Sequence, residues 1–127
     1  NPIMQALAPA KKYTQVVNLL FNARTNAHMA HLATREYPAH KALDEFYSAI
    51  VDVADSFAEA SMGYTLSPMS GFDLGKLNTG DILSFLKAQK QELLQLRSQF
   101  SEGDLIQLID DACEIYNSTI YKLAILK

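Results

Sequence analysis

The chain has 127 residues, of which 49% are apolar, and it carries a formal net charge of −3. This length suits one domain with its own core, the composition excludes a disordered or fibrous chain, and the charge argues against a protein that coats nucleic acid. The sequence contains neither the ~20 consecutive apolar residues of a membrane span nor the pattern of a signal peptide. Cys113 is the single cysteine and has no partner for an internal disulfide. We therefore expect a cytoplasmic protein.

The first half of the chain predicts two helices. Residues 1–11 contain two prolines and predict an irregular N-terminal arm. Apolar and small residues then recur at intervals of three and four, which predicts a helix over residues 12–35. The tripeptide "EYP" interrupts this pattern, because a residue before proline is displaced from helical geometry whereas proline suits a first helical turn. A second helix is therefore expected from Pro38 to about Met62.

The second half predicts a long link followed by two more helices. Residues 64–80 are rich in Gly, Ser, Pro, Asn and Thr, which is typical of a connection, and a short helical turn is expected at residues 72–77. Helices are then expected over residues 81–100 and from about residue 101 to residue 126. Together the segments predict an all-α, four-helix bundle. The link is long enough to cross the length of the bundle, as in the ferritin-like variant, where the second and third helices run parallel.

Candidate metal ligands lie on one face of the second helix. At 100° per residue, His40, Asp44, Asp55 and Glu59 fall within an arc of ~100°. His31, near the end of the first helix, is a fifth candidate. Imidazole nitrogen and carboxylate oxygen are both good donors to iron(II) and zinc(II), so this combination of residue types indicates a site for a divalent metal.

These five side chains cannot meet around one metal within a single chain. Eleven residues at a rise of ~1.5 Å place Asp44 ~16 Å from Asp55. A combined site requires a second copy, packed antiparallel across a two-fold axis. The motif Glu-x-x-His of intrasubunit di-iron sites is absent from the sequence, which also favours a shared site. In such a pair, the residues His31, His40 and Asp44 of one subunit would meet Asp55 and Glu59 of the other.

The pattern resembles that of the Dps miniferritins, a group within the ferritin-like superfamily. The stretches "AHLATREYPAHKALDEF" and "DSFAE" match the two histidines and three carboxylates of that group, and the likeness covers about residues 16–63. It implies a ferroxidase that oxidises iron(II) with hydrogen peroxide or dioxygen and stores the product inside a dodecameric shell. It further implies His31, Asp55 and Glu59 as the catalytic iron ligands, with a second iron or a water held by His40 and Asp44.

Several expectations accompany the resemblance. The chain lacks the lysine-rich tail of DNA-binding relatives, so no nucleic-acid partner is expected, and Leu32 stands where the group usually has tryptophan. His28 is expected either to have a structural role or to support the metal ligands without binding the metal. Asp55 lies among apolar residues, which predicts at least partial burial. Two alternatives remain open: a structural or interaction bundle, such as a phage protein, with an unused metal site, and a zinc-filled site that serves assembly.

Overall fold

The fold is described from a computed structural model, which covers the backbone of residues 2–127 and the side chains of residues 11–127. Its helices are α1 (Pro2–Ala33), α2 (Tyr37–Thr65), α3 (Ile82–Arg97) and α4 (Gly103–Ile125). No strand occurs within residues 2–127. The prediction of an all-α, four-helix chain is thereby confirmed. None of the four helices, over the part of the chain that is described, has an apolar stretch long enough to cross a membrane.

Each helix turns an apolar face towards a common core. The largest of the fully buried side chains come from all four helices, and burying each one contributes ~1.5–3 kcal/mol to stability. The aromatic side chains of Phe46 and Tyr116 meet edge to face, with ring centroids 5.1 Å apart, and join α2 to α4. Small side chains let the helices approach closely at the fully buried positions Ala23, Ala27, Ala54 and Ala112.

Several boundaries differ from those expected from the sequence, among them the end of α3, which lies at Arg97 and not at residue 100. The irregular N-terminal arm was a wrong prediction, because α1 begins at Pro2, where proline suits a first helical turn. α2 continues through Gly63 and ends at Thr65. The next residue, Leu66, caps the helix: its φ of 53° is left-handed and its N–H donates to the carbonyl of Met62. The short helix expected at residues 72–77 is also absent, since residues 68–79 have no regular secondary structure.

The link between α2 and α3 lies along α1 and is held there by a ladder of polar side chains. Thr14, Asn18, Asn22 and Asn26 are spaced four residues apart and therefore lie on one face of α1. Each of these side chains forms hydrogen bonds with the backbone of the link. Successive residues along α1 bond successive positions along the link. These bonds run from Thr14 to the carbonyl of Ser70, from Asn18 to Gly71 and Asp73, from Asn22 to Leu74 and Lys76, and from Asn26 to Asn78.

Asn22 lies at the centre of a buried hydrogen-bond network that joins three helices and the link. Its amide nitrogen donates to the carbonyls of Leu74 (2.6 Å) and Lys76 (3.0 Å). Its amide oxygen accepts from Gln89 of α3 and from Asn26, each at 3.0 Å. Gln89 in turn accepts from the hydroxyl of Tyr116 on α4 at 2.8 Å. All four hydrogen-bonding positions of the Asn22 side chain are thus occupied.

Burial strengthens this network. Tyr116 is fully buried, and the loss of water raises the pKa of its phenol well above the ordinary value, so it remains protonated and donates to Gln89. Within the described residues, every buried side-chain nitrogen and oxygen has a hydrogen-bond partner. α1 packs against α2 and α3, and α4 packs against the same two helices. α2 therefore occupies one corner of the bundle, where one of its faces is free.

We predict that Asn22→Ala lowers the free energy of unfolding by about 2 kcal/mol, because it leaves the buried amide of Gln89 without its acceptor. Urea denaturation measures this change. Asn117→Ala, at an exposed position on α4, is the matched control and is expected to change stability by less than about 0.5 kcal/mol. Equal effects of the two substitutions would contradict a central role for the Asn22 network.

Candidate metal centre

The hairpin between α1 and α2 brings two histidines face to face. His31 lies in the last turn of α1, His40 lies in the first turn of α2, and only residues 34–36 separate the two helices. The imidazole rings stack with centroids 3.7 Å apart and planes inclined by 20°. Both side chains are partly exposed. The sequence predicted that these two histidines belong to one site, and the structure places them side by side.

Reciprocal hydrogen bonds fix the tautomer of both rings. Nδ1 of His31 lies 2.6 Å from the carbonyl oxygen of His40, and Nδ1 of His40 lies 2.8 Å from the carbonyl oxygen of His31. A carbonyl oxygen can only accept, so each Nδ1 carries the hydrogen. In the neutral rings each Nε2 therefore keeps a free lone pair. This is the arrangement of metal-binding histidines, whose second nitrogen usually donates to a carbonyl or a carboxylate.

The stacking decides how many metal ions the pair can bind. A metal ion lies in the plane of the imidazole that binds it, ~2.0–2.1 Å from the nitrogen. The planes of His31 and His40 are nearly parallel and are separated by about the stacking distance, so one ion cannot lie in both planes. As arranged, the rings can therefore hold two neighbouring ions, one each, but cannot chelate a single ion.

Tyr47 connects this pair to the rest of the hairpin, a contact that sequence reasoning missed. Its ring stacks on His28 at 4.2 Å and meets the edge of His31 at 5.4 Å. Interaction with the Asp44 carboxylate raises the pKa of Tyr47, and desolvation adds to the effect. The spacing of seven residues from His40, two helical turns, is the sequence signal that could have identified it. His28 thus packs against Tyr47.

The remaining two candidates lie elsewhere on the same chain. Asp55 and Glu59 are exposed on the second half of α2, away from the hairpin. The expected partial burial of Asp55 was wrong, because α2 turns the neighbouring Ala54 and Phe57 into the core and leaves Asp55 on the outer face. Among the described side chains, no three His, Cys, Asp or Glu residues converge to hold one metal ion. A single chain thus presents the five candidates as two separate groups.

Comparison with known proteins identifies a family. The chain belongs to DUF5856, a family of unknown function whose model matches residues 31–123. It is also similar to an uncharacterized 14.6 kDa protein encoded in the mobD-ri intergenic region of Enterobacteria phage T4, with 37% identity over 54 residues. That match covers 42% of this chain and 42% of the phage protein, so it spans less than half the length of the relative. No solved structure matches the chain.

We predict that His31→Ala and His40→Ala each weaken cobalt(II) binding by more than about tenfold, because each removes a nitrogen donor with a free lone pair. The visible absorption of bound cobalt(II), followed during a titration, measures the affinity. His28→Ala is the matched control on the same hairpin and is expected to keep binding within a few-fold of the unmodified protein. If His28→Ala had the largest effect, the assignment of the donors would be wrong.

Proposed function

We propose that this member of the DUF5856 family oxidises and stores iron(II) at a site shared between two copies of the chain, in the manner of the Dps miniferritins. The observation that carries the proposal is the His31–His40 pair. Each ring presents a free Nε2 while its Nδ1 is anchored to a backbone carbonyl of the facing helix. Nε2 is thus the nitrogen of each ring that can bind a metal ion, and the two ring centroids lie 3.7 Å apart.

The proposed site is completed by carboxylates from both copies. His31 would bind one iron ion together with Asp55 and Glu59 of a second copy. His40 and Asp44 would hold the neighbouring iron or a water. Packing two α2 helices antiparallel across a two-fold axis brings the hairpin end of one copy to the opposite half of α2 in the other. The exposure of Asp55 and Glu59 is consistent with this pairing, because both are free to reach a second chain.

Two adjacent metal positions suit the chemistry of peroxide. Hydrogen peroxide takes up two electrons when it is reduced to two hydroxide ions, and two iron(II) ions supply one electron each and become iron(III). Iron is here a substrate, and the protein's own contribution is to hold the donors in place. The backbone carbonyls that accept from Nδ1 fix the direction of both imidazoles, and Tyr47 packs against His31 from the side.

The course of the link supports the ferritin-like part of the proposal. α1 and α2 form a hairpin, so α2 ends beside the first half of α1, and the link then follows α1 from Thr14 to Asn26. α3 starts near the Asn26 end of the link and runs back along α1. Gln89 donates to Asn22, and further on Lys12 donates to the carbonyl of Gln99. This course corresponds to parallel α2 and α3 helices joined by a long crossover. A dodecameric shell that encloses mineral is the assembly we propose for storage.

A second candidate function is that of a structural or interaction bundle in which the metal site is unused. It is favoured by the separation of the candidate ligands, because no group of three converges within the described part of one chain. The similarity to an uncharacterized phage protein is compatible with either function. The two candidates differ in one respect that can be measured, namely whether the protein accelerates iron oxidation.

We expect the protein to accelerate the oxidation of iron(II) by hydrogen peroxide, and we expect Glu59→Ala to slow it by at least about tenfold, because a metal ligand is removed. The rise in ultraviolet absorbance from ferric oxide gives the rate. Glu114→Ala, at an exposed position on α4, is the matched control and should leave the rate unchanged. If the unmodified protein oxidised iron no faster than buffer, the proposed ferroxidase function would be wrong and the interaction bundle would be favoured.

Complementation between two inactive variants tests whether the site is shared. One variant carries His31→Ala and His40→Ala, and the other carries Asp55→Ala and Glu59→Ala, so neither can form an intact site with itself. In a two-fold mixed pair, one of the two sites regains all its ligands, and random pairing should restore about a quarter of the unmodified rate. Mixtures that stay inactive, although both variants fold, would exclude a shared site.

A further inference from the structure

We infer that Tyr47 is a positioning residue: its ring, backed by that of His28, holds the His31 imidazole in the orientation that leaves Nε2 free for a metal ion. The inference rests on the proposed function, because it takes His31 as an iron ligand, and it adds two residues that serve the site without binding iron. Its basis is a row of ring contacts across the hairpin.

Four rings alternate between the two helices of the hairpin. Their order is His40, His31, Tyr47 and His28, so α2 and α1 contribute in turn. Tyr47 contacts both histidines of α1. Its centroid lies 4.2 Å from that of His28, with planes inclined by 16°, and 5.4 Å from that of His31, with planes inclined by 72°. Stacked and edge-to-face rings at these distances attract each other, so each ring restrains the next.

His31 needs this support because its hydrogen bond alone holds the ring only weakly. The ring is partly exposed, so water competes with the carbonyl of His40 for the Nδ1 hydrogen. The torsion about the Cβ–Cγ bond of a histidine is broad and roughly two-fold. A half-turn about this bond breaks the hydrogen bond, and the hydrogen can then move to Nε2, which loses its free lone pair. Contacts with His40 and Tyr47 oppose such a turn.

The support is unequal for the two histidines of the site. His31 has two ring neighbours from α2, namely His40 and Tyr47. His40, within the described part of the chain, has a ring contact with His31 alone. Removal of the Tyr47 ring is therefore expected to act directly on His31 and less on His40. This difference makes His40 an internal reference for any measurement on His31.

Tyr47 acts through the position of its ring and not through charge. Interaction with the Asp44 carboxylate raises the pKa of its phenol, so the side chain is protonated and neutral at pH 7. Metal ligands bind in their deprotonated form, so the phenol is not itself a donor. Replacement of Tyr47 by Leu or Phe leaves the net charge of the protein unchanged. Loss of one aromatic contact changes an equilibrium by about two- to tenfold, which sets the expected size of the effect.

The experiment records the nitrogen NMR resonances of the neutral imidazoles without metal, because these resonances show which nitrogen carries the hydrogen. We expect His31 and His40 to carry it on Nδ1. In Tyr47→Leu and Tyr47→Ala, His31 should become a mixture of both tautomers, and the affinity for cobalt(II) should fall by about two- to tenfold. Tyr47→Phe should keep the tautomer and the affinity, because it keeps the ring. Tyr37→Leu, at an exposed tyrosine of the same helix, is the matched control and should change neither.

Iron oxidation by the unmodified protein, measured in parallel, separates a failure of the inference from a failure of the proposed function. An unchanged His31 tautomer in both non-aromatic variants would overturn the positioning role of Tyr47, whatever the rate of iron oxidation. An effect of Tyr47→Phe as large as that of Tyr47→Leu would overturn the assignment of this role to the ring. If the tautomer of His31 changed as expected but the unmodified protein oxidised iron no faster than buffer, the proposed function alone would be wrong.

Discussion

The architecture depends on the four hydrogen bonds of one buried amide. Asn22 binds two carbonyls of the link, accepts from Gln89 of α3, and accepts from Asn26 one turn further along α1. Burying an amide costs free energy unless all its donors and acceptors are paired. The link, Gln89 and Asn26 must therefore keep their positions around the Asn22 side chain. An otherwise irregular link of sixteen residues, 66–81, is thereby fixed along a single helix.

The fixed link determines which surfaces remain free. The link and α3 pack on α1, α4 packs on α2 and α3, and α1 and α2 pack against each other and are joined by their hairpin. That hairpin positions the two histidines, whose Nδ1 atoms bond the carbonyls of the facing helix. The hairpin thus holds two of the candidate donors, while the outer face of α2 carries the exposed carboxylates of Asp44, Asp55 and Glu59. Core packing and the proposed chemistry occupy opposite faces of the same helix.

The candidate site was only partly predictable from the sequence. The helical period predicted that His40, Asp44, Asp55 and Glu59 lie on one face, and the helical rise predicted that they form two separate groups. Both predictions could be made because the period and the rise follow from backbone geometry alone. The stack of His31 on His40 was not predictable, since it depends on the angle at which a three-residue turn brings two helices together. The burial of Asp55 was wrongly predicted for a related reason. Apolar neighbours in sequence do not surround a helical side chain when they point to the opposite face.

The sequence by itself determined the class of the fold, the number of helices and the approximate position of the long link. Those features follow from apolar periodicity and from the local preferences of proline and glycine, which act over a few residues. Only the tertiary structure decided where the link runs and which imidazole nitrogens are free. The course of the link depends on hydrogen bonds between residues far apart in the chain, such as Asn22 to Leu74 and Gln89 to Asn22. The free imidazole nitrogens depend on the reciprocal bonds that His31 and His40 form across the turn. A periodic pattern identifies a polar face of a helix, but the partner of that face is set by the packing of the whole chain.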